Sequence, residues 1–301
     1  ASLEHGGHVD NVVMVAGYVV MRVAMVAQWL RAARQDPARR QACLTYAAII
    51  SVAQIGWIAV ILLHTGLLVT GLLVIALTLF EMAGPVVAER RAGGTPWHAH
   101  HIAERYGLMA IIALGEGVVG TVATLTAVVS DHGWSTEAIL VAVSGVGLTF
   151  GMWWMYFMVP AGELLHAHRE TSFWFGYLPI VLYGAIVGTG AGLHLAAYYL
   201  EEHSALGSAA CVATVAVPVA VYIWLIYLLH ALMLRATSRV HLMLSLLASA
   251  VLVGSVLLAA SGVPIAVCLL VATLAPVVVV IGHETVGHRH TTAALAARIS
   301  G

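Results

Sequence analysis

Charged side chains within long apolar segments are the residues of this chain best placed to do chemistry. Glu116 lies near the middle of residues 104–128, which are otherwise apolar and long enough to cross a bilayer. A charge at that depth costs several kcal/mol, so such residues usually face the protein interior and belong to a pathway or a specific pair. Arg22 lies at the middle of residues 11–31. We therefore expect Arg22 and Glu116 to form an ion pair near the membrane midplane.

A second group of polar residues is expected nearer one membrane face. Glu81 lies close to the end of the apolar segment 66–84, and Arg105 begins the segment that contains Glu116, so Glu81 and Arg105 are predicted to pair. On a helix, Arg105 and Glu116 fall on almost the same face, with a rise of about 16 Å between them. The pairs could be structural and fix helix register, or they could form a pathway for a solute, ion or proton. The predicted polar site is made of Arg22, Glu81, His101, Glu104, Arg105 and Glu116.

Aromatic residues at the end of a later apolar segment, residues 137–159, could line a cavity beside this site. Aromatic side chains at such a position are also typical of the membrane–water interface, which is the simpler interpretation. Glycines next to Glu116 favour the close approach of a neighbouring helix. The residues predicted to line a cavity are Trp153, Trp154, Tyr156, Gly115 and Gly117.

Histidines are concentrated in the segments that flank the apolar ones, on a single predicted side of the membrane. Because imidazoles and carboxylates are zinc ligands, an intramembrane enzyme or metalloprotein acting at the cytoplasmic face through His101 and Glu104 is an alternative function. Loop histidines that contact only solvent are the simpler interpretation, so we expect no cofactor and favour a protein that is not an enzyme. The alternative metal site would be drawn from His98, His101, His166, His168 and His283.

The composition identifies the class of protein. Of 301 residues, 61% are hydrophobic and 9% are charged, whereas soluble domains carry about 25% charged residues. The net charge of −1 argues against nucleic-acid binding, which needs a basic surface. The predicted partners are therefore the lipid bilayer and, for a transporter, a small molecule or an ion.

A membrane span needs about 20 apolar residues, and nine segments satisfy this: 11–31, 43–63, 66–84, 104–128, 137–159, 172–199, 208–232, 241–261 and 263–281. We predict an all-α polytopic transmembrane bundle that forms a single domain over residues 1–301. The loops that carry Arg all fall on one side, and the opposite loops carry none. By the positive-inside rule the Arg side is cytoplasmic. The N-terminus of this chain is then predicted to be outside and the C-terminus inside.

Residues 101–120 read HIAERYGLMAIIALGEGVVG and contain H-x-x-E-R-x-G-L, an apolar run and L-G-E. This pattern resembles the signature of the bacterial low-temperature-requirement A (LtrA) family. Further similarity lies in YVVMR at 18–22, in Glu81 followed by Gly84-Pro85, and in WWMYF at 153–157. The resemblance covers most of residues 10–200 and implies a multi-pass protein of the bacterial cytoplasmic membrane. It implies no established biochemical activity.

Two departures from the family pattern bear on function. Family members start with about three further helices, so this chain is expected to lack them. Members also carry Asp after the aromatic motif and His before the proline of the next span, where this chain has Met158 and Tyr177. These differences weaken a catalytic or proton-relay interpretation. We expect a transporter-like protein that moves a small solute, ion or proton, with a non-catalytic membrane scaffold for cold adaptation as a further alternative.

Overall fold

The computed structural model describes residues 3–4, 8–9, 12–63, 65–91, 94–201, 203–235 and 238–287. Over these residues the chain is almost entirely helical, and a long helix lies at each of the nine predicted spans. Eight of the described helices are long and apolar enough to cross a membrane, by length and composition. The remaining long helix is α1 (Val12–Gln35). The all-α, multi-span prediction is confirmed, whereas the orientation in the membrane stays a prediction.

The contacts divide the chain into two compact units, Ala1–Trp97 and His98–Gly301. In the first unit, α2 packs against both α1 and α3, and two short strands near the N-terminus pair in antiparallel fashion. That residues 1–301 form a single domain stays a prediction. The elements of this unit are β1 (Leu3–Glu4), β2 (His8–Val9), α1, the 3-10 turn Pro37–Arg39, α2 (Arg40–Leu62) and α3 (Leu67–Glu89).

The second unit is built around six long helices that close into a ring. Around the ring, α4 packs on α7, α7 on α8, α8 on α9, α9 on α10, α10 on α5, and α5 on α4. The short helix α6 packs on α4 and α8. The helices are α4 (Ala99–His132), α5 (Thr136–Phe157), α6 (Ala161–Ala167), α7 (Ser172–Leu200), α8 (Ser208–Leu234), α9 (Arg239–Ala260) and α10 (Ile265–Gly282), the last followed by the π-helical turn His283–Gly287.

Side chains from opposite helices fill the middle of this ring. Tyr222 of α8 is fully buried together with Leu148 and Met152 of α5. The Tyr222 hydroxyl donates a hydrogen bond of 2.6 Å to the Met152 carbonyl oxygen. Because an unpaired hydroxyl would be costly in such an apolar interior, this bond fixes how α8 faces α5.

Local sequence signals set the limits of α4 and α5. The His98 side chain accepts a hydrogen bond from the His101 N–H at the start of α4, and Gly133, with φ of 66°, ends that helix. Ser135 then accepts a bond from the Ala138 N–H and starts α5. These are the usual N-cap and glycine C-terminal signals, and they make α4 longer than the predicted span of 104–128.

The third helix also extends beyond its predicted span, with a consequence for Glu81. The predicted span ends at residue 84, just before Pro85. In the structure α3 continues through Pro85 to Glu89, which membrane helices tolerate. Glu81 therefore lies two turns inside α3 and not at its end.

Candidate functional sites

The first polar cluster lies among the three helices of the first unit. Tyr18 and Arg22 are four residues apart on α1 and so share a face. The Arg22 Nη2 atom lies 3.4 Å from Glu81 Oε1 on α3, and it donates a hydrogen bond to the Tyr18 hydroxyl. That hydroxyl donates to Glu81 Oε2 at 2.8 Å, and Trp57 Nε1 of α2 donates to the same oxygen at 3.3 Å. One ion pair thus connects all three helices.

This ion pair is mostly buried and incompletely hydrogen-bonded. The Arg22 and Glu81 side chains are 20% and 15% exposed. Arg22 Nε and Glu81 Oε1 are buried and make no hydrogen bond with the described residues. Arg22 Nη1 donates only to the Met25 sulfur at 3.5 Å, and a thioether is a weak acceptor.

A cavity of about 170 Å³ opens beside the pair. One of its walls contains Trp29 and Tyr46, whose rings stack with centroids 4.3 Å apart. The Tyr46 hydroxyl donates to Glu89 Oε1 at 2.8 Å, which holds this wall in place. The lining residues are Arg22, Met25, Trp29, Tyr46, Ile49, Ile50, Glu81, Gly84 and Pro85.

Arg22 and Glu81 make a contact with each other that was not predicted. The expected pair of Arg22 with Glu116 rested on the premise that neither charge has another opposite partner at its depth. The structure gives Arg22 an opposite charge that this premise left out, Glu81, and the pair with Glu116 stays a prediction. The expected pair of Glu81 with Arg105 assumed that Glu81 ends its span, and the continuation of α3 through Pro85 removes that reason.

The second polar site lies in the second unit, where α4 crosses α7. Glu116 Oε1 is 3.8 Å from His194 Nδ1. The same Nδ1 lies 3.2 Å from the Gly190 carbonyl oxygen. The side chains are 41% (Glu116) and 31% (His194) exposed, so this pair is more open than the pair in the first unit.

Glycine makes this close crossing possible. A Cβ atom at Gly190 would lie 2.6 Å from the Glu116 carbonyl carbon and 2.7 Å from its oxygen. Because these are backbone atoms, no movement of a side chain could relieve the clash. Thr124 of α4 also donates a 2.7 Å hydrogen bond to the Leu193 carbonyl oxygen of α7. The backbone of α7 therefore lies directly against the turn that carries Glu116.

Several predicted site residues lie elsewhere in the second unit. His101, Glu104 and Arg105 are exposed near the start of α4, while Trp154 donates to Glu284 at 3.0 Å and Trp153 contacts Phe150 and Phe157. The Tyr156 hydroxyl is 3.1 Å from that of Tyr183. Gly117 packs closely against Thr149, and nothing lies within 4 Å of the Cβ position of Gly115. The cavity-lining role of these residues stays a prediction.

The histidines proposed as metal ligands contact different neighbours. The His100 ring stands between those of His98 and His166, with centroids 5.9 and 5.8 Å away. The His283 ring stacks on that of His241 at 5.5 Å, and His168 Nδ1 lies 3.3 Å from Glu170. Within the described ranges, no group of three or more His, Cys, Asp or Glu residues could hold a metal ion. The alternative metal site thus gains no support from the geometry.

Sequence reasoning missed three residues of these two sites. Tyr18 was quoted only as part of YVVMR, although its spacing of four from Arg22 indicates a shared helix face. His194 follows the glycine run of α7, and a histidine next to small residues within a span was a signal for a buried polar crossing. Trp57 had no signal of its own, because a tryptophan in an apolar helix is ordinary.

The chain can be compared with known proteins and protein families. The model of the family described as bacterial low temperature requirement A protein (LtrA) matches residues 1–276. The chain belongs to the LtrA family. No curated protein and no solved structure shows significant similarity to it. The resemblance seen in the sequence is confirmed, and the chain is a multi-pass membrane protein of this family.

The LtrA signature read from the sequence lies on the first five turns of α4. Its Gly107 faces α5, where a Cβ atom would lie 3.2 Å from the Phe157 ring. Its Glu116 faces α7 through His194. The signature thus places a glycine at one helix contact and a carboxylate at another, about two and a half turns further along the same helix.

Proposed function

We propose that this protein is a transporter-like membrane protein that moves a proton, and with it an ion or small solute, through the site at Glu116. The observation that supports it is the Glu116–His194 pair, with 3.8 Å between Oε1 and Nδ1. The proposal includes the cytoplasmic membrane of a bacterium as the location. The loops that carry Arg would face the cytoplasm, as the positive-inside rule indicates.

The chemistry of this pair suits reversible proton binding. A carboxylate and an imidazole each take up and release a proton, and imidazole is the side chain that does so most readily near neutral pH. An arginine partner would hold Glu116 in a permanent ion pair, whereas His194 carries a charge only when protonated. Ionisable residues within membrane spans commonly form proton relays and ion pathways.

The surroundings of Glu116 also support a functional role. Neighbouring residues on α4 are apolar and exposed, as Ile112 and Val119 show with exposures of 70% and 55%. The Glu116 side chain is itself partly exposed. A carboxylate in such apolar surroundings costs free energy, and helix packing alone does not require it. The Gly190 contact already holds α4 against α7 without help from a charge.

Proton flux into proteoliposomes tests this function. Purified protein would be reconstituted with a pH-sensitive dye inside the vesicles, and an inward proton gradient applied with and without a panel of ions and small solutes. We expect Glu116→Gln to remove the flux, because an amide does not carry a proton. Glu137→Gln, in the first turn of α5, is the matched control and should keep it.

Two results would contradict the proposal. If Glu116→Gln is folded, as judged by its elution and thermal unfolding, and still supports wild-type flux for every solute tested, the pair is structural. A wild-type protein with no flux for any member of the panel would favour the non-catalytic scaffold.

A further inference from the structure

We propose that the cavity beside Arg22 and Glu81 binds a small zwitterion, of the class of α-amino acids with short apolar side chains. The site lies within the first unit and is separate from the Glu116–His194 pair. A bound zwitterion would be a solute for the transporter proposed above, but its binding can be measured without any transport.

The polar side of the cavity requires both an acceptor and a donor from its ligand. The Arg22 guanidinium has five N–H groups. The structure uses Nη2 on Tyr18 and, at 3.4 Å, on Glu81 Oε1, and it uses Nη1 on a sulfur. Glu81 Oε1 receives no hydrogen bond from the described residues, whereas Oε2 receives two. A ligand carboxylate would satisfy the guanidinium, and a ligand ammonium would satisfy Oε1.

The charge balance favours a ligand that carries both groups. Arg22 and Glu81 together are neutral, so a singly charged ligand would add an unbalanced charge to a mostly buried site. Buried charges are tolerated when they are paired and hydrogen-bonded. A zwitterion is itself neutral and lies with its carboxylate on Arg22 and its ammonium on Glu81.

The rest of the lining is apolar and sets the size of the ligand. Met25, Ile49, Ile50 and Pro85 complete the cavity with the aromatic wall of Trp29. The volume of about 170 Å³ slightly exceeds the roughly 150 Å³ of an engineered cavity that binds benzene. An amino acid with a short aliphatic side chain, such as valine, matches this size, whereas drug-sized ligands need about 300 Å³ or more.

The polar groups are already held in place before any ligand arrives. Tyr18 and Trp57 both donate to Glu81 Oε2, so the carboxylate cannot rotate freely to satisfy Oε1 elsewhere. Fixed binding groups reduce the entropy that a ligand must overcome. The two hydrogen bonds to Oε2 explain why Glu81 Oε1 remains without a hydrogen bond from the described residues.

Binding of three related probes to the purified protein in detergent tests the proposal. L-valine, 3-methylbutanoate and 2-methylpropan-1-amine share a branched chain and differ in their polar groups. Calorimetric titration should show that valine binds and that each single-group analogue binds about tenfold more weakly or worse, since each leaves one buried polar group unpaired. Equal affinity for 3-methylbutanoate, or no binding of valine, would overturn the assignment.

Two variants locate the binding site. Arg22→Lys keeps the charge but loses the planar fork, and should weaken valine binding about tenfold or more, while Arg31→Lys on the exposed side of the same helix should not. If Arg22→Lys does not fold, Glu81→Gln keeps an acceptor for Tyr18 and Trp57. Its affinity for valine should fall, while its affinity for 3-methylbutanoate should not. Equal losses in Arg31→Lys and Arg22→Lys would show that valine binds elsewhere.

Discussion

The two units hold their intramembrane carboxylates in opposite ways. Glu81 is paired with a permanently charged arginine, and two further side chains donate hydrogen bonds to it. Glu116 faces a histidine at 3.8 Å, and its position follows from a close backbone contact at Gly190. Side-chain hydrogen bonds thus place the first carboxylate, and helix packing places the second.

This difference is the basis of the two different roles that we propose for the carboxylates. Glu81 is ion-paired with Arg22 and accepts hydrogen bonds from Tyr18 and Trp57, which holds its carboxylate in one position for a ligand. Glu116 faces an imidazole instead of a guanidinium, and the proposed function has the two groups exchange a proton. The same residue type in two apolar environments is thus proposed to bind a solute in one unit and to move a proton in the other.

Removal of Arg22 should have the largest effect on stability. Arg22→Leu leaves Glu81 buried without its cation, which typically costs about 3–5 kcal/mol. Arg22→Leu combined with Glu81→Leu should recover much of that loss, because no uncompensated charge remains. Denaturant titration of the purified variants in mixed micelles measures both effects.

The exposed Arg31 provides the control for this comparison. Arg31→Leu on the same helix removes an arginine that is exposed, so it should change the free energy of unfolding by less than about 1 kcal/mol. If the double variant is no more stable than Arg22→Leu alone, the pair with Glu81 does not account for the role of Arg22.

Added bulk at Gly190 should break the second site through its backbone. Gly190→Ala places a methyl group against the Glu116 carbonyl, and overpacking of this kind costs about 1–3 kcal/mol. Gly184→Ala on the same helix meets no atom within 4 Å and is the matched control. Thermal unfolding should separate the two variants, and equal stability would show that α7 does not depend on a close approach at Gly190.

An exposed ion pair in the first unit should show the smallest effect. Arg39 Nη1 donates to Asp36 Oδ2 at 2.7 Å, and this bond lowers the pKa of the Asp36 carboxyl. A lowered pKa in the folded state means that the pair contributes above the unfolded pKa of about 4 and loses its contribution as the pH falls below it. The slight difference in unfolding temperature between the wild type and Asp36→Asn should therefore disappear in acid, and a difference that grows in acid would contradict this.

Much of the fold could be predicted because span length and hydropathy act locally. Each of the nine predicted segments coincides with a long helix in the described residues, and the LtrA signature identified the family. Helix ends were less predictable. The third span was predicted to end at residue 84, although α3 continues to Glu89, so Glu81 was placed too near the end of its helix.

The partners of the charges could not be predicted because pairing depends on which helices are neighbours. Arg22 and Glu116 were matched by depth alone, and depth does not distinguish Glu81 from Glu116 once the end of α3 is corrected. His194 escaped notice for a related reason, since only the crossing of α4 and α7 places it beside Glu116. The charged residues could be singled out from the sequence, whereas their contacts required the three-dimensional arrangement.

Initial proton flux of Glu116→Gln, His194→Gln and the double variant tests most directly whether the second site acts as one proton-exchanging pair. Loss of a positioned proton-transfer group typically lowers a rate by about 100-fold or more, so each single variant should lose most of its flux. Because residues that act as a unit have non-additive effects, the double variant should be no slower than the slower single variant. Wild-type flux in folded His194→Gln would contradict the account, since Glu116 would then exchange protons without its partner.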